Sequence, residues 1–185
     1  MRAGESGQAD AALAAYRELA RLPSAAALLP YARSYLSRAN WSVSWFTSRA
    51  DPLGNLTAWR ALAHESESVS AKVRALSFPY QGGGPKALIL NADVSERGPG
   101  ADRFGMIATA RIKFPAGRWR LHASGAGGVR ILADGKSILE NWTNDAPTEK
   151  FANFETPAAG EVAITVEHFV ITPTPGFQFL IEPAE

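Results

Sequence analysis

Hydrophobic and polar residues alternate along most of the chain from Trp41 onward. The clearest run lies at 104–114, where every second residue is apolar: Phe104, Met106, Ala108, Ala110, Ile112 and Phe114. Shorter runs with the same period occupy 41–45, 69–75, 119–123, 129–133, 162–166 and 177–181. Alternation of this kind is typical of β-strands that bury one face and expose the other. The pattern therefore predicts an all-β domain over residues 40–185.

Turn-forming residues separate the predicted strands. Asp134-Gly135 lies between two of them and is a strong signal for a two-residue hairpin. Other strand ends are marked by Pro115-Ala116-Gly117, by 157–160 and by 172–176. Closely spaced strands joined by turns favour an antiparallel β-sandwich or barrel over a parallel nucleotide-binding sheet. Longer loops are expected at 81–85 and 95–101.

The first part of the chain has a different, helical pattern. Leu13, Tyr16, Leu19 and Leu22 recur at helical spacing after Asp10, which is a suitable capping residue. Pro23-Ser24 is expected to end this helix, and Pro30 fits the first turn of a second one. Residues 1–39 therefore form a short helical extension, or the end of a preceding region. Helices this short are marginal alone, so we expect them to pack on the sandwich or on a partner.

Composition and charge exclude several classes of protein. Hydrophobic residues make up 46% of the 185 residues and the net charge is +1, which describes a folded domain without the basic excess of a nucleic-acid partner. The cysteine count is 0, so no disulfide framework or thiolate zinc site is expected. No apolar run of about 18 residues exists to span a membrane. The first ten residues lack the apolar core of a signal peptide.

Catalytic and metal-binding motifs are not recognisable in the sequence. His64, His122 and His168 do not have metal-ligand spacing, and no Gly-x-Ser-x-Gly elbow occurs. The carboxylates are scattered, so a glycosidase pair has no support from spacing. We therefore expect no enzyme activity, no catalytic residues, no metal and no cofactor.

Residues 102–142 resemble a known domain family. Phe-Pro-Ala-Gly-Arg-Trp (114–119), Gly-Val-Arg (128–130), Ala-Asp-Gly-Lys (133–136) and Glu-Asn-Trp (140–142) follow one another as in the protective-antigen (PA-fourteen) domain family. The flanking strands at 41–46, 161–169 and 177–181 extend the resemblance over about residues 40–183. It implies an antiparallel β-sandwich that binds carbohydrate without catalysis, in bacterial proteins located outside the cell or in the periplasm.

One feature of that family is missing. In its lectin members, two consecutive aspartates joined by a cis peptide hold a calcium ion that bridges to vicinal sugar hydroxyls. Here Ala126 and Gly127 stand at the equivalent positions. Calcium needs several oxygen ligands, and these side chains supply none. The resemblance therefore implies the fold without the calcium-dependent mechanism.

Two functions remain open from the sequence. The first is a calcium-independent carbohydrate-binding accessory module that binds a glycan or cell-surface polysaccharide at the sandwich end formed by 124–128 and 141–149. Its predicted ligand-binding residues are Arg130, Asn141, Trp142, Asn144 and Asp145, with Trp142 stacking on the sugar or, alternatively, plugging the sandwich end. The second is a structural protein–protein interaction module of a larger assembly or multidomain protein, with a partner docking on helices 10–37.

Overall fold

The computed structural model describes residues 4–184, and it describes the side chains of 10–25 and 27–184. Residues 1–3 and 185 lie outside this description. Residues 1–3 belong to the segment in which no signal-peptide core is predicted. The α-helices are α1 (Gly4–Arg21), α2 (Leu29–Leu36), α3 (Leu56–Ala61) and α4 (Ala92–Arg97). The strands are β1 (Trp41–Thr47), β2 (Val69–Val73), β3 (Ser77–Phe78), β4 (Phe104–Phe114), β5 (Gly117–Gly125), β6 (Gly128–Ala133), β7 (Lys136–Asn141), β8 (Thr148–Thr156), β9 (Gly160–Val170) and β10 (Phe177–Pro183).

The strands form two antiparallel sheets that pack face to face. The larger sheet has the strand order β2-β1-β4-β9-β6-β7 and the smaller has β3-β10-β5-β8. Inward-facing apolar side chains of both sheets form one main core, which includes Trp41, Trp45 and Trp119. The predicted antiparallel β-sandwich is confirmed. None of the described helices combines the length and apolar character needed to cross a bilayer.

Strand β4 shows how the alternation determines the fold. It lies inside the larger sheet, between β1 and β9. Its six alternating apolar side chains are all buried in the core. The side chains between them, Thr109, Arg111 and Lys113, are exposed on the outer face of the sheet. A period of two therefore separates core from solvent along this strand, as the sequence predicts.

The Asp134-Gly135 hairpin also forms as predicted. Asp134 and Gly135 both have positive φ values, 47° and 77°, which a two-residue turn of this hand requires. The turn joins β6 to β7, with Ala133 paired to Lys136. The Asp134 carboxylate also accepts the backbone N–H of Ala163 at 2.9 Å, which ties the hairpin to β9.

A second apolar cluster lies on the outer face of the larger sheet. It consists of Phe46, Trp59, Leu62, Ala63 and Phe169, with Trp142 packed against it. Helix α3 supplies Trp59, which is fully buried. The segment between β1 and β2 therefore covers part of the sheet face that would otherwise be open to solvent.

The N-terminal helices pack on the sandwich near the end of β10. Leu13 of α1 is 4% exposed and belongs to the main core. After α2, the Ser37 hydroxyl accepts the backbone N–H of Ile181 at 2.7 Å. Arg33 Nε lies 2.5 Å from the Glu182 carboxylate. The helical extension is thus attached to the sandwich by both apolar and polar contacts.

Some local expectations were wrong. Asp10 lies within α1, which begins at Gly4, so it does not cap that helix. The expected loop at 95–101 begins inside α4, which ends at Arg97. Helix α3 and strand β8 were not predicted. Both short helices, α3 and α4, are capped by an asparagine side chain, of Asn55 and Asn91, which accepts a backbone N–H of the first turn.

The packing of Leu13 predicts that the helical extension contributes to stability. Leu13→Ala is expected to lower the free energy of unfolding by about 2–5 kcal/mol, because it leaves a cavity in the core. Leu22→Ala is the matched control, since Leu22 is 53% exposed. Chemical denaturation measures both. Equal, small effects of the two substitutions would show that α1 does not pack as described.

Candidate functional site

The turn after β5 and the loop after β7 lie side by side at one end of the sandwich. The backbone N–H of Gly127 donates to the carbonyl of Asp145 at 2.9 Å. This hydrogen bond joins the turn 125–128 to the loop 141–147. The two segments predicted to form a site are thus adjacent in the structure.

Close packing against β9 explains the glycines of this turn. Gly127 has a φ of 83°, and a Cβ there would lie 2.0 Å from the carbonyl oxygen of Phe169. A Cβ on Gly128 would lie 2.1 Å from the Phe169 ring. Contacts this short are not sterically allowed. A side chain at position 127, including an aspartate, therefore does not fit this turn.

The residues of the turn do not fit a calcium ion. Ala126 offers a buried methyl group, and its carbonyl oxygen lies 2.8 Å from His168 Nε2. The ammonium of the buried Lys150 lies 3.4 Å from the carbonyl oxygen of Gly125. Among the described residues, no group of three or more His, Cys, Asp or Glu side chains is placed to hold a metal. The turn is held by protein donors, one of them a cation.

The charge states of these two donors follow from their burial. Burial lowers the pKa of His168 to about 4, so the imidazole is neutral at pH 7 and donates its Nε2–H to Ala126. Burial also lowers the pKa of Lys150, and the nearby Asp145 carboxylate opposes that shift. The carboxylate of the neighbouring loop therefore favours the protonated form of Lys150.

Polar side chains of the loop 141–147 form a short row. The Thr143 hydroxyl lies 2.5 Å from Asp145 Oδ2 and 3.3 Å from Asn141 Oδ1. Asn144, between them in sequence, is exposed. Two of the predicted site residues, Asn141 and Asp145, are thus joined through Thr143, which was not predicted. Among the described side chains, no hydrogen bond links Asn144 to them.

Trp142 is only partly exposed, and its ring contacts other residues of the chain. Its indole N–H donates to the carbonyl of Pro52 at 2.7 Å. Its ring centroid lies 5.1 Å from that of Trp59 and 4.7 Å from that of Phe169, both in edge-to-face geometry. These contacts support the packing role that the sequence left open beside sugar stacking.

Arg130 lies beside Trp142 and belongs to an ion-pair network. Its guanidinium carbon is 5.7 Å from the Trp142 ring centroid, and Nη1 is 3.7 Å from the Glu167 carboxylate. Glu167 is 3% exposed and accepts two hydrogen bonds from Arg60, at 2.6 and 2.9 Å. The Arg60–Glu167 pair neutralises the buried carboxylate next to the site. These two residues are far apart in the chain, so no sequence motif indicates their pairing.

Comparison with known proteins places this geometry in a fold class. No family model matches the sequence, and no curated protein is found to be similar. Among solved structures, the PA14 domain of the MpAFP antifreeze protein has a TM-score of 0.62 at 18% identity, covering 79% of this chain and 82% of that one. A PA14 sugar-binding domain from an RTX adhesin has a TM-score of 0.57 at 11% identity, covering 79% and 90%.

A third structure with this fold is an adhesin domain. The A domain of a subtype-switched epithelial adhesin from Candida glabrata, in complex with β-lactose, has a TM-score of 0.52 at 8% identity, covering 80% of this chain and 81% of that one. At such low identities the likeness concerns the fold. This chain therefore has the PA14 β-sandwich fold that the resemblance at 102–142 predicts.

The shifted pKa of His168 predicts acid sensitivity. The unfolded chain takes up a proton near pH 6.5, whereas the native state does so only near pH 4. Stability should therefore fall as pH decreases between these values, by up to about 3 kcal/mol from this group. His168→Gln should show a weaker pH dependence, and the exposed His64→Gln should match the wild type. Denaturation at a series of pH values tests this; identical slopes for all three proteins would contradict it.

The composition of the turn predicts that calcium has no effect on stability. The melting temperature should be the same in millimolar calcium chloride and in EDTA, because position 127 admits no carboxylate and Lys150 points at the turn. Thermal unfolding followed by circular dichroism provides the measurement. A rise in the melting temperature with calcium, saturating at low concentration, would reveal a site that these residues do not explain.

Proposed function

We propose that this chain is a non-catalytic, calcium-independent carbohydrate-binding module whose site is the sandwich end at 124–128 and 141–149. The observation that carries the proposal is the hydrogen bond from Gly127 N–H to the Asp145 carbonyl. It fixes the loop 141–147 against the turn, where the Thr143 hydroxyl lies within hydrogen-bond distance of Asn141 and Asp145 and the amide of Asn144 is exposed. Such groups both donate and accept hydrogen bonds, as sugar hydroxyls require.

Each residue has a defined role in this proposal. Asn144 and Asp145 bind sugar hydroxyls directly, and Asn141 contributes its amide. Trp142 and Arg130 lie together on the outer face of the larger sheet, and the part of the indole that remains exposed offers an apolar surface to the sugar ring. Lys150 and His168 hold the turn by their hydrogen bonds to the carbonyls of Gly125 and Ala126. Protein donors thereby replace the ion in shaping the site.

The comparisons support the same function. Two of the structures with this fold are described as a sugar-binding domain and as an adhesin domain in complex with β-lactose. A module of this kind would act outside the cell or in the periplasm, as an accessory part of a bacterial surface or secreted protein. No step of the proposed activity makes or breaks a covalent bond.

Glycan-array screening followed by calorimetric titration tests the proposal. Asn144→Ala should weaken binding of the best glycan about five- to tenfold, as expected for one lost hydrogen bond. Asn153→Ala removes an exposed amide from the outer face of β8, where it accepts a hydrogen bond from Arg120, and should leave the affinity unchanged. No glycan bound by the wild type, or equal losses in the two variants, would overturn the proposal.

A specific observation favours the second function, a protein–protein interaction module. The helical extension exposes four large apolar side chains: Leu22 (53%), Leu28 (51%), Tyr31 (76%) and Tyr35 (48%). Large apolar groups exposed close together in one segment of the chain suit an interaction surface. A partner retained by wild type and by Phe151→Ser, but lost from Leu28→Ser/Tyr31→Ser in co-precipitation, would support this function. Retention by all three proteins would exclude docking on these helices.

A further inference from the structure

A large groove lies where the helical extension meets the sandwich. Its volume is about 1100 Å³. It is lined by residues of α1, α2 and the segment before β1, by Arg74 and Ala75 after β2, and by both outward-facing and core side chains of β4 and β9, together with Trp119 and Ile181. It adjoins the end of β4 and the start of β9, whereas the proposed sugar site adjoins the end of β9. The groove is therefore a separate surface, at the other end of the sandwich.

The charged residues of this groove are mostly basic. The described residues that line it include four cations and one carboxylate. The cations are those of Arg38, Arg74, Arg111 and Lys113, and the carboxylate is that of Glu161. Four cations and one anion give the groove a net charge of +3, whereas the whole chain carries only +1. Positive charge is thus concentrated on this surface in a protein that is otherwise nearly neutral, which attracts anions.

Most of these cations are not neutralised by an acidic neighbour. Arg111 is paired with Glu161 at 3.2 Å. Arg74 instead donates to the amide oxygen of Asn40, and the Arg38 guanidinium lies over the Tyr35 ring at 5.5 Å. Within the described side chains, no carboxylate lies within ion-pair distance of Arg38, Arg74 or Lys113. Three cations therefore remain available to an anionic ligand.

Neutral polar groups lie between the cations. Ser42, Thr109 and Thr165 offer hydroxyl groups on the outer face of the sheet. Along β4, Thr109, Arg111 and Lys113 occupy every second position, so their side chains repeat at about 7 Å. A regular row of hydroxyls and cations suits a linear polymer that carries both hydroxyl groups and repeated negative charges.

We propose that this groove binds an anionic polysaccharide, one whose sugar units carry carboxylate or sulfate groups. Guanidinium and ammonium groups bind these anions, and the Ser and Thr side chains bind the sugar hydroxyls. A single-stranded nucleic acid fits less well, because it needs aromatic platforms for its bases. Of the lining aromatic residues, Phe114 and Trp119 are each only 3% exposed, so Tyr35, which is 48% exposed and has Arg38 over its ring, is a single platform and not a series of them.

The test uses the intact chain and defined probes: heparin oligosaccharides for sulfate, polygalacturonate oligosaccharides for carboxylate, dextran as a neutral polymer and poly-dT as a nucleic acid. The wild type should bind one of the acidic glycans and not dextran, with an affinity that falls as salt is raised. Arg38→Gln/Lys113→Gln should weaken that binding up to about tenfold, as two exposed charge contacts allow. Calorimetric titration measures these affinities.

Two controls separate this groove from other sources of binding. Lys86→Gln/Arg118→Gln makes the same change in charge at exposed residues that do not line the groove, and it should bind like the wild type. Asn144→Ala, at the sandwich end, should also leave this binding unchanged. Equal losses in both charge variants, equal binding of dextran, preference for poly-dT, or no binding at low salt would overturn the proposal.

Discussion

The close approach of β9 to the turn at Gly127 and Gly128 determines the shape of the candidate site. The Phe169 carbonyl and ring leave no space for a Cβ at either glycine. A turn without polar side chains has to be held through its backbone, and the neighbouring elements supply the donors and acceptors. His168 from β9, Lys150 from β8 and Asp145 from the loop each contact a different backbone group of residues 125–127. Because a side chain does not fit at Gly127 or Gly128, the turn is held by hydrogen bonds between its backbone groups and the neighbouring elements.

Strand β9 connects the sandwich end at 125–128 to both faces of the larger sheet. His168 points inward, stacks on Phe177 and reaches the turn. Glu167 and Phe169 point outward, where Glu167 pairs with Arg60 and Phe169 packs against Trp142. Three consecutive residues therefore contribute to the core, the ion-pair network and the aromatic cluster. A substitution at any of them would disturb the loops at 125–128 and 141–147 through a different set of contacts.

Much of the fold was predictable because its strands follow a simple rule. Where apolar residues alternate, as in β4, the buried face can be identified from the sequence. Strand β8 breaks the rule: Lys150 points inward and is 7% exposed, whereas Phe151 points outward and is 55% exposed. Helices α3 and α4 have six residues each, too few for a helical period to be visible. The surroundings of Trp142 depend on Pro52 and Trp59, which are distant in sequence, so local patterns could not indicate its packing.

In the proposed function, the turn at 125–127 is ordered by folding itself and not by a bound ion. The conformational entropy of that segment is lost during folding, and a ligand would meet a surface that is already preorganised. An ion-dependent loop couples binding to the availability of the ion. A turn held by hydrogen bonds from Lys150 and His168 couples binding to the folding of the sandwich instead. Ligand capture by such a module would be insensitive to chelation and would fail together with the fold.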